Sequence, residues 1–144
     1  MMKKKTVFVI VLVIMVVIVC AIAGFWWYHM SKHGVGTAEI KFHVAKNDGN
    51  YTITIKEINK GTIDMQWDIM YFEAEVLNGS EQLMRVKLVD VLNNVASNIT
   101  FYDKDNNGIV SIGDEFTIKG VLAEEGNIFR LCDSAGTAHI AYLE

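Results

Sequence analysis

The 22 residues from Val7 to Tyr28 contain no charged side chain and follow directly on Lys3, Lys4 and Lys5. A helix that is apolar on every face needs lipid or other protein around it, so this run dictates where the rest of the chain lies. At about 1.5 Å of rise per residue it extends about 33 Å, enough to cross a hydrocarbon core of about 30 Å. Val, Ile, Leu, Met and Phe occur all around it, which excludes a surface-lying amphipathic helix. Trp26, Trp27 and Tyr28 close the run, as amphipathic rings do at a headgroup interface, and the three lysines predict a cytoplasmic N-terminus. The resulting plan is a cytoplasmic basic N-terminus over residues 1–6, a transmembrane helix over 7–30, a linker over 31–36 and an extracytoplasmic domain over 37–144.

The same run supports a second account. Ala21-Ile22-Ala23 before Gly24 has the small-x-small pattern of a signal-peptide cleavage site, which would release a secreted domain after Ala23. The apolar stretch continues past that point through Phe25-Trp26-Trp27, which favours retention. Lipid attachment at Cys20 is disfavoured by the bulky Val19 before it. In each account the C-terminal part lies outside the cytoplasm.

All 17 acidic residues lie beyond the apolar run, against 10 lysines and arginines once Lys3, Lys4 and Lys5 are set aside. The domain is therefore acidic, near −7, which excludes nucleic acid as a partner because no basic stripe exists to displace counterions. Cys20 sits in the apolar run and Cys132 in the domain, so the two cannot pair, and Cys132 reads as a lone buried thiol.

Beyond the run the hydrophobic period changes to two. Ala38, Ile40, Phe42 and Val44 alternate with polar residues, Lys46 to Asn50 forms a turn with Asp48-Gly49 at its centre, and Tyr51, Ile53 and Ile55 alternate again. The same pattern predicts a strand over Gln66 to Leu77 with Met70, Phe72, Ala74 and Val76 inward. It predicts another over Leu83 to Val91 with Met84, Val86 and Leu88 inward. Ile99 to Tyr102, Phe116 to Ile118, Asn127 to Leu131 and Ala138 to Leu143 complete the set. The fold class that follows is an all-β ectodomain, an Ig-like β-sandwich of seven to eight strands, preceded by one N-terminal transmembrane α-helix. An open barrel is the alternative. His43 and His139, on outward-alternating positions, are expected at the surface, as are Glu73 and Glu75. His29 and His33 stand four apart, a spacing for a metal on one helix face, but they have no third ligand.

The most specific chemical signal is the segment from Asp103 to Asp114. Asp103, Asp105, Asn107, Ser111 and Asp114 bring side-chain oxygens at positions 1, 3, 5, 9 and 12, Ile109 brings its carbonyl at position 7, and Gly108 stands at position 6. Hard cations such as Ca2+ take six to eight oxygens, and alternating donors in a twelve-residue loop wrap one. Val110 is expected to pin the loop to the core. The segment resembles the dockerin-type variant of the EF-hand loop, in which Asp takes the closing position. That resemblance implies Ca2+ held by Asp103, Asp105, Asn107, Ile109, Ser111 and Asp114. Here the flanks read as strands instead of helices, and the loop is single, which fits a structural clip more than a conformational sensor.

The order of parts also resembles archaeal type IV pilin-like proteins: a basic N-terminus, one apolar helix, then a β-domain with Phe101, the acidic loop to Asp114, and Phe116-Thr117-Ile118. That resemblance implies a subunit that polymerises through its apolar helix. Lys3-Lys4-Lys5 runs straight into Thr6-Val7, without the small residue at which prepilins are cut. Asn50, Asn78 and Asn98 head glycosylation sequons. No nucleophile elbow, zinc-protease motif or phosphate loop occurs, so no enzyme is expected. The partners expected are the lipid bilayer, through the helix; a protein or glycan of open identity, through the domain; and a second copy of the helix.

Overall fold

The computed structural model describes residues 3–32, 37–61 and 65–144. The chain divides into two units, residues 1–36 and 37–144. In the first, helix α1 runs from Lys4 to Lys32. No proline or described glycine other than Gly24 interrupts it, and its apolar side chains from Val7 to Tyr28 are exposed on every face. It is long and apolar enough to cross a membrane, a character that a signal sequence shares. Ser31 and Lys32, expected in the linker, continue the helix. The remaining linker residues lie outside the described residues, as does His33 of the histidine pair.

Among its described residues the second unit carries eight strands in two antiparallel sheets packed about one core, a β-sandwich following a helix. The strands are β1 (Glu39–Asn47), β2 (Asn50–Asn59), β3 (Glu73–Asn78), β4 (Glu81–Lys87), β5 (Ile99–Tyr102), β6 (Glu115–Ile118), β7 (Ile128–Cys132) and β8 (Ala138–Tyr142). One sheet has the order β1-β2-β6-β5 and the other β4-β3-β7-β8. Consecutive strands pair as hairpins, and the hairpins alternate between the sheets along the chain. The β1–β2 turn places Asp48 and Gly49 at positive φ, as its sequence requires.

Alternation seats Tyr51, Ile53 and Ile55 of β2, Phe101 of β5, Phe116 of β6 and Phe129 of β7 wholly inside. Phe116 links the sheets, its ring centre 4.9 Å from that of Phe101 and 4.8 Å from that of Phe129.

Four expectations are corrected. The strand over Gln66 to Leu77 begins only at Glu73, because Asp68 accepts a hydrogen bond from the Met70 amide (3.0 Å) and starts a 3-10 turn over Ile69–Tyr71. The turn breaks the period of two, so Met70 is 57% exposed while Phe72 is buried. The strand over Leu83 to Val91 ends at Lys87, and one helical turn, α2 (Leu88–Val91), sends Leu88 and Val91 inward at a spacing of three.

His139 is buried at 5% exposure, because β8 turns His139 and Ala141 inward, with Leu143 just beyond it, and leaves Ile140 and Tyr142 in solvent. Glu75 does stand on the outward face of β3, yet it is 1% exposed, because Arg130 of β7 pairs with it and covers it. Cys132 is half-buried, its Sγ 3.6 Å from Glu75 Oε1. His43 is exposed, as expected.

Candidate metal centre

Strand β5 ends at Tyr102 and β6 begins at Glu115, so residues 103–114 form the whole connection of this hairpin. Hairpin loops are ordinarily two to five residues, and a connection of this length needs its own fastenings. It has them on both sides. The Val110 amide donates to the Trp67 carbonyl (2.9 Å) and the Ile69 amide donates to the Gly108 carbonyl (3.1 Å). The Gly113 amide donates to the Ile55 carbonyl (2.8 Å), and the Ile55 amide returns a bond to Asp114 (2.9 Å). Val110, at 3% exposure, joins the core as expected. Gly108 adopts φ 72°, where a side chain would be strained, and Asn106 adopts φ 55°, which asparagine tolerates better than most.

Within the loop each predicted residue bonds to another part of the same segment. Asp103, 6% exposed, accepts from the Gly108 amide at Oδ2 (2.7 Å) and from the Asn107 amide at Oδ1 (3.3 Å). Asp114 is fully buried and accepts from the Lys104 amide (3.1 Å) and the Ser111 amide (2.8 Å). Ser111 Oγ donates to the Ile109 carbonyl (2.9 Å). Asn107 Nδ2 donates to Asp105 Oδ2 (2.8 Å) and to Ser111 Oγ (3.0 Å), while its Oδ1 accepts from the Ile109 amide (2.8 Å). The amide nitrogen of Asn107, not the oxygen expected as a ligand, thus faces Asp105; a half turn about its last side-chain bond exchanges the two.

One carboxylate oxygen from each of Asp103, Asp105 and Asp114 lies within 4.8 Å of the others. Two unit charges at that distance repel by about 3 kcal/mol at an effective dielectric of about 20. The two buried members respond in opposite directions. For Asp103 burial opposes ionisation, but the amides of Gly108, Asn107 and Asn106 and a hydrogen bond with Asp105 outweigh it, so its carboxyl lies below the usual range. For Asp114 burial dominates, the Ser111 and Lys104 amides only partly offset it, and the charges of Asp103 and Asp105 add to it, so its carboxyl is pushed up.

The donors gathered here are all oxygens, the set a hard divalent cation takes and a soft metal does not. All six predicted residues fall on this one connection, with three carboxylates converging. Sequence reasoning missed a second buried polar group. His139 and Asp133 face each other at 2.9 Å. Nothing in the local pattern marks this pair, because apolar residues occupy both faces of β8.

Comparison of the chain with protein-family models, with curated proteins and with solved structures finds no match.

Proposed function

We propose that this chain is a membrane-tethered extracytoplasmic module, with a structural or interaction role at the cell surface, whose β-sandwich is stiffened by Ca2+ in the 103–114 loop. The observation that carries this reading is the convergence of Asp103, Asp105 and Asp114, two of them buried, on a connection fastened to the core from both sides. Three carboxylates at such separations are costly without a counter-charge. Asp103, Asp105 and Asp114 would hold the ion through carboxylate oxygens, Asn107 through its turned amide, Ser111 through its hydroxyl and Ile109 through its carbonyl. The ion would supply the missing positive charge and cross-link the loop. Affinity of about 0.1–1 mM suffices for an extracellular module.

The sandwich is Ig-like in this reading. Its support is the strand order, which follows the ABED arrangement in one sheet and the CFG arrangement with an added C′ edge in the other. Such domains bind proteins or glycans through their loops, and the chain is read as a binding or structural module, not an enzyme. The apolar faces of α1 favour lipid around it, with the N-terminus inside and the domain outside. The second reading, a pilin-like subunit packing through that helix, draws on the same faces.

Two measurements test the proposal. Protease shaving of intact cells should remove the domain, and calorimetric titration of the purified chain should register Ca2+ binding; an untouched domain or a flat titration overturns it. A full-length chain, monodisperse in detergent, supports the tether, whereas filaments of a shortened chain support the pilin.

A further inference from the structure

Strands β1 and β8 are edge strands of different sheets, and they run beside each other where the sandwich would otherwise be open. The side chain of His139 bridges that seam. The amide of Ile40 in β1 donates to His139 Nδ1 in β8 at 3.2 Å. On the other side of the ring, Nε2 lies 2.9 Å from Asp133 Oδ2. Asp133 is itself fixed by the β7–β8 turn, its Oδ1 accepting from the amides of Ala135 (2.9 Å) and Thr137 (3.0 Å).

These contacts determine the state of the ring. A backbone N–H can only donate, so Nδ1 must offer its lone pair, and the one ring hydrogen lies on Nε2, facing the carboxylate. The imidazole is therefore neutral in this arrangement. Adding a proton places a hydrogen on Nδ1, donor against donor at 3.2 Å, and the Ile40 bond cannot persist. The Asp133 contact survives, since Nε2 donates to the carboxylate in both states, and it strengthens once the ring is charged. The contact that yields is the one across the seam.

We infer that His139 is an acid-released latch between the start of β1 and the edge of β8. Histidine is the side chain that ordinarily gains its proton between about pH 5 and 8. The charged groups near it are few. Asp133 approaches from the turn, and Glu39 and Lys41 of β1 line the same seam, Lys41 being paired with Glu57 of β2 at 3.0 Å. From β7 the register partner is Leu131, and the neighbours in β8, Ala138 and Ile140, carry no charge. Release exposes Ala38 and Ile40, now buried at the point where the chain enters the domain. All of β1, Glu39 and Ile40 included, stays paired with β2, so what opens is the seam to β8. This inference is independent of the cation.

The test is amide exchange of the full chain in detergent, read as protection factors so that the intrinsic pH dependence of exchange cancels. Protection at Ile40 should fall about tenfold between about pH 7.5 and 5, with Ile53 and Phe116 unchanged. The 15N shifts of the His139 ring should report proton uptake over the same range. His139→Asn, whose amide oxygen stands near the place of Nδ1 and takes up no proton, should make Ile40 protection independent of pH. Four results overturn the latch: proton uptake with Ile40 still protected, no uptake before global unfolding, loss at Ile40 only together with Ile53, or unchanged pH dependence in the Asn variant. The ring shifts decide the matter even if that variant does not fold.

Discussion

Asp105→Asn separates the cation reading from loop folding better than any other substitution at the cluster. Asp103 and Asp114 each hold two backbone amides of the loop in part-buried hydrogen bonds, so removing either loses those bonds, at about 0.5–1.5 kcal/mol each, with or without an ion. Asp105 is exposed and accepts a side-chain bond from Asn107. Its charge raises Asp114. Replacing it with Asn removes one ligand charge and one source of repulsion, so stability in chelator should be unchanged or slightly higher. With affinity of about 0.1–1 mM, about 10 mM Ca2+ stabilises the native state by roughly 1.4–2.7 kcal/mol. At about 4 °C per kcal/mol for a domain of this size, Tm should rise by about 6–11 °C. The assay is thermal unfolding of the full chain in detergent, with chelator or Ca2+, for both proteins. The parent should show the rise and the variant should lose most of it. A parent indifferent to the ion, or a variant that responds equally, would refute the reasoning.

Four further outcomes follow from the structure. Asp114, pushed up, favours the fold when protonated; that contribution is complete below the ordinary carboxylate range and is lost as pH rises through its raised value. Asp103, pushed down, contributes above that range and loses its contribution as pH falls through its lowered value. An ion needs both carboxylates ionised, and Asp114, pushed up, is the one that still holds its proton in mild acid, so the Ca2+-induced rise in Tm should be smaller at about pH 4 than at about pH 7. Burial, followed by the charge and hydrogen bond of Glu75, pushes the Cys132 thiol up against the opposing pull of Arg85 and Arg130. Iodoacetamide at about pH 8 should thus modify Cys132 at least about tenfold more slowly than an unstructured peptide thiol, and Glu75→Gln should speed the reaction. Phe129→Ala, which empties a fully buried site between Phe42 and Phe116, should cost about 3–5 kcal/mol in denaturant unfolding. Among the sequons, Asn78-Gly79-Ser80 is an exposed hairpin turn, whereas Tyr51 and Thr100 are buried within theirs, so peptide mass mapping of native material should find any glycan at Asn78.

Strands with apolar residues on one face only were legible from the chain. Tyr51, Ile53 and Ile55 alternate with Thr52, Thr54 and Lys56, and that pattern permits one register. Where both faces carry apolar residues the phase was lost. In Ala138-His139-Ile140-Ala141-Tyr142, hydrophobicity cannot say which set is inside, and the inward phase comes from pairing with β7. Glu75 was misjudged for another reason. Its burial comes from Arg130, far away in sequence, and no local pattern contains that contact. The acidic loop was readable because its residues are contiguous: spacing alone brought Asp103, Asp105 and Asp114 together. The orientation of the Asn107 amide depends on which hydrogen bonds compete, and spacing does not decide that.

The alternation of hairpins between the two sheets bears on how the domain folds. Each sheet is completed only when a hairpin from the first half of the chain meets one from the second, β2 against β6 and β3 against β7. No contiguous stretch contains a finished sheet without also carrying a hairpin of the other. Chain synthesis through α2 therefore yields two half-built layers with their central edges unpaired. The hairpins are contacts between neighbouring strands in sequence, cheapest to close at the short turns, whereas the two long-range closures carry the larger loop entropy and should dominate the barrier. Cleavage anywhere between Asn93 and Asn98 would divide both layers at once and leave each fragment with half of each sheet.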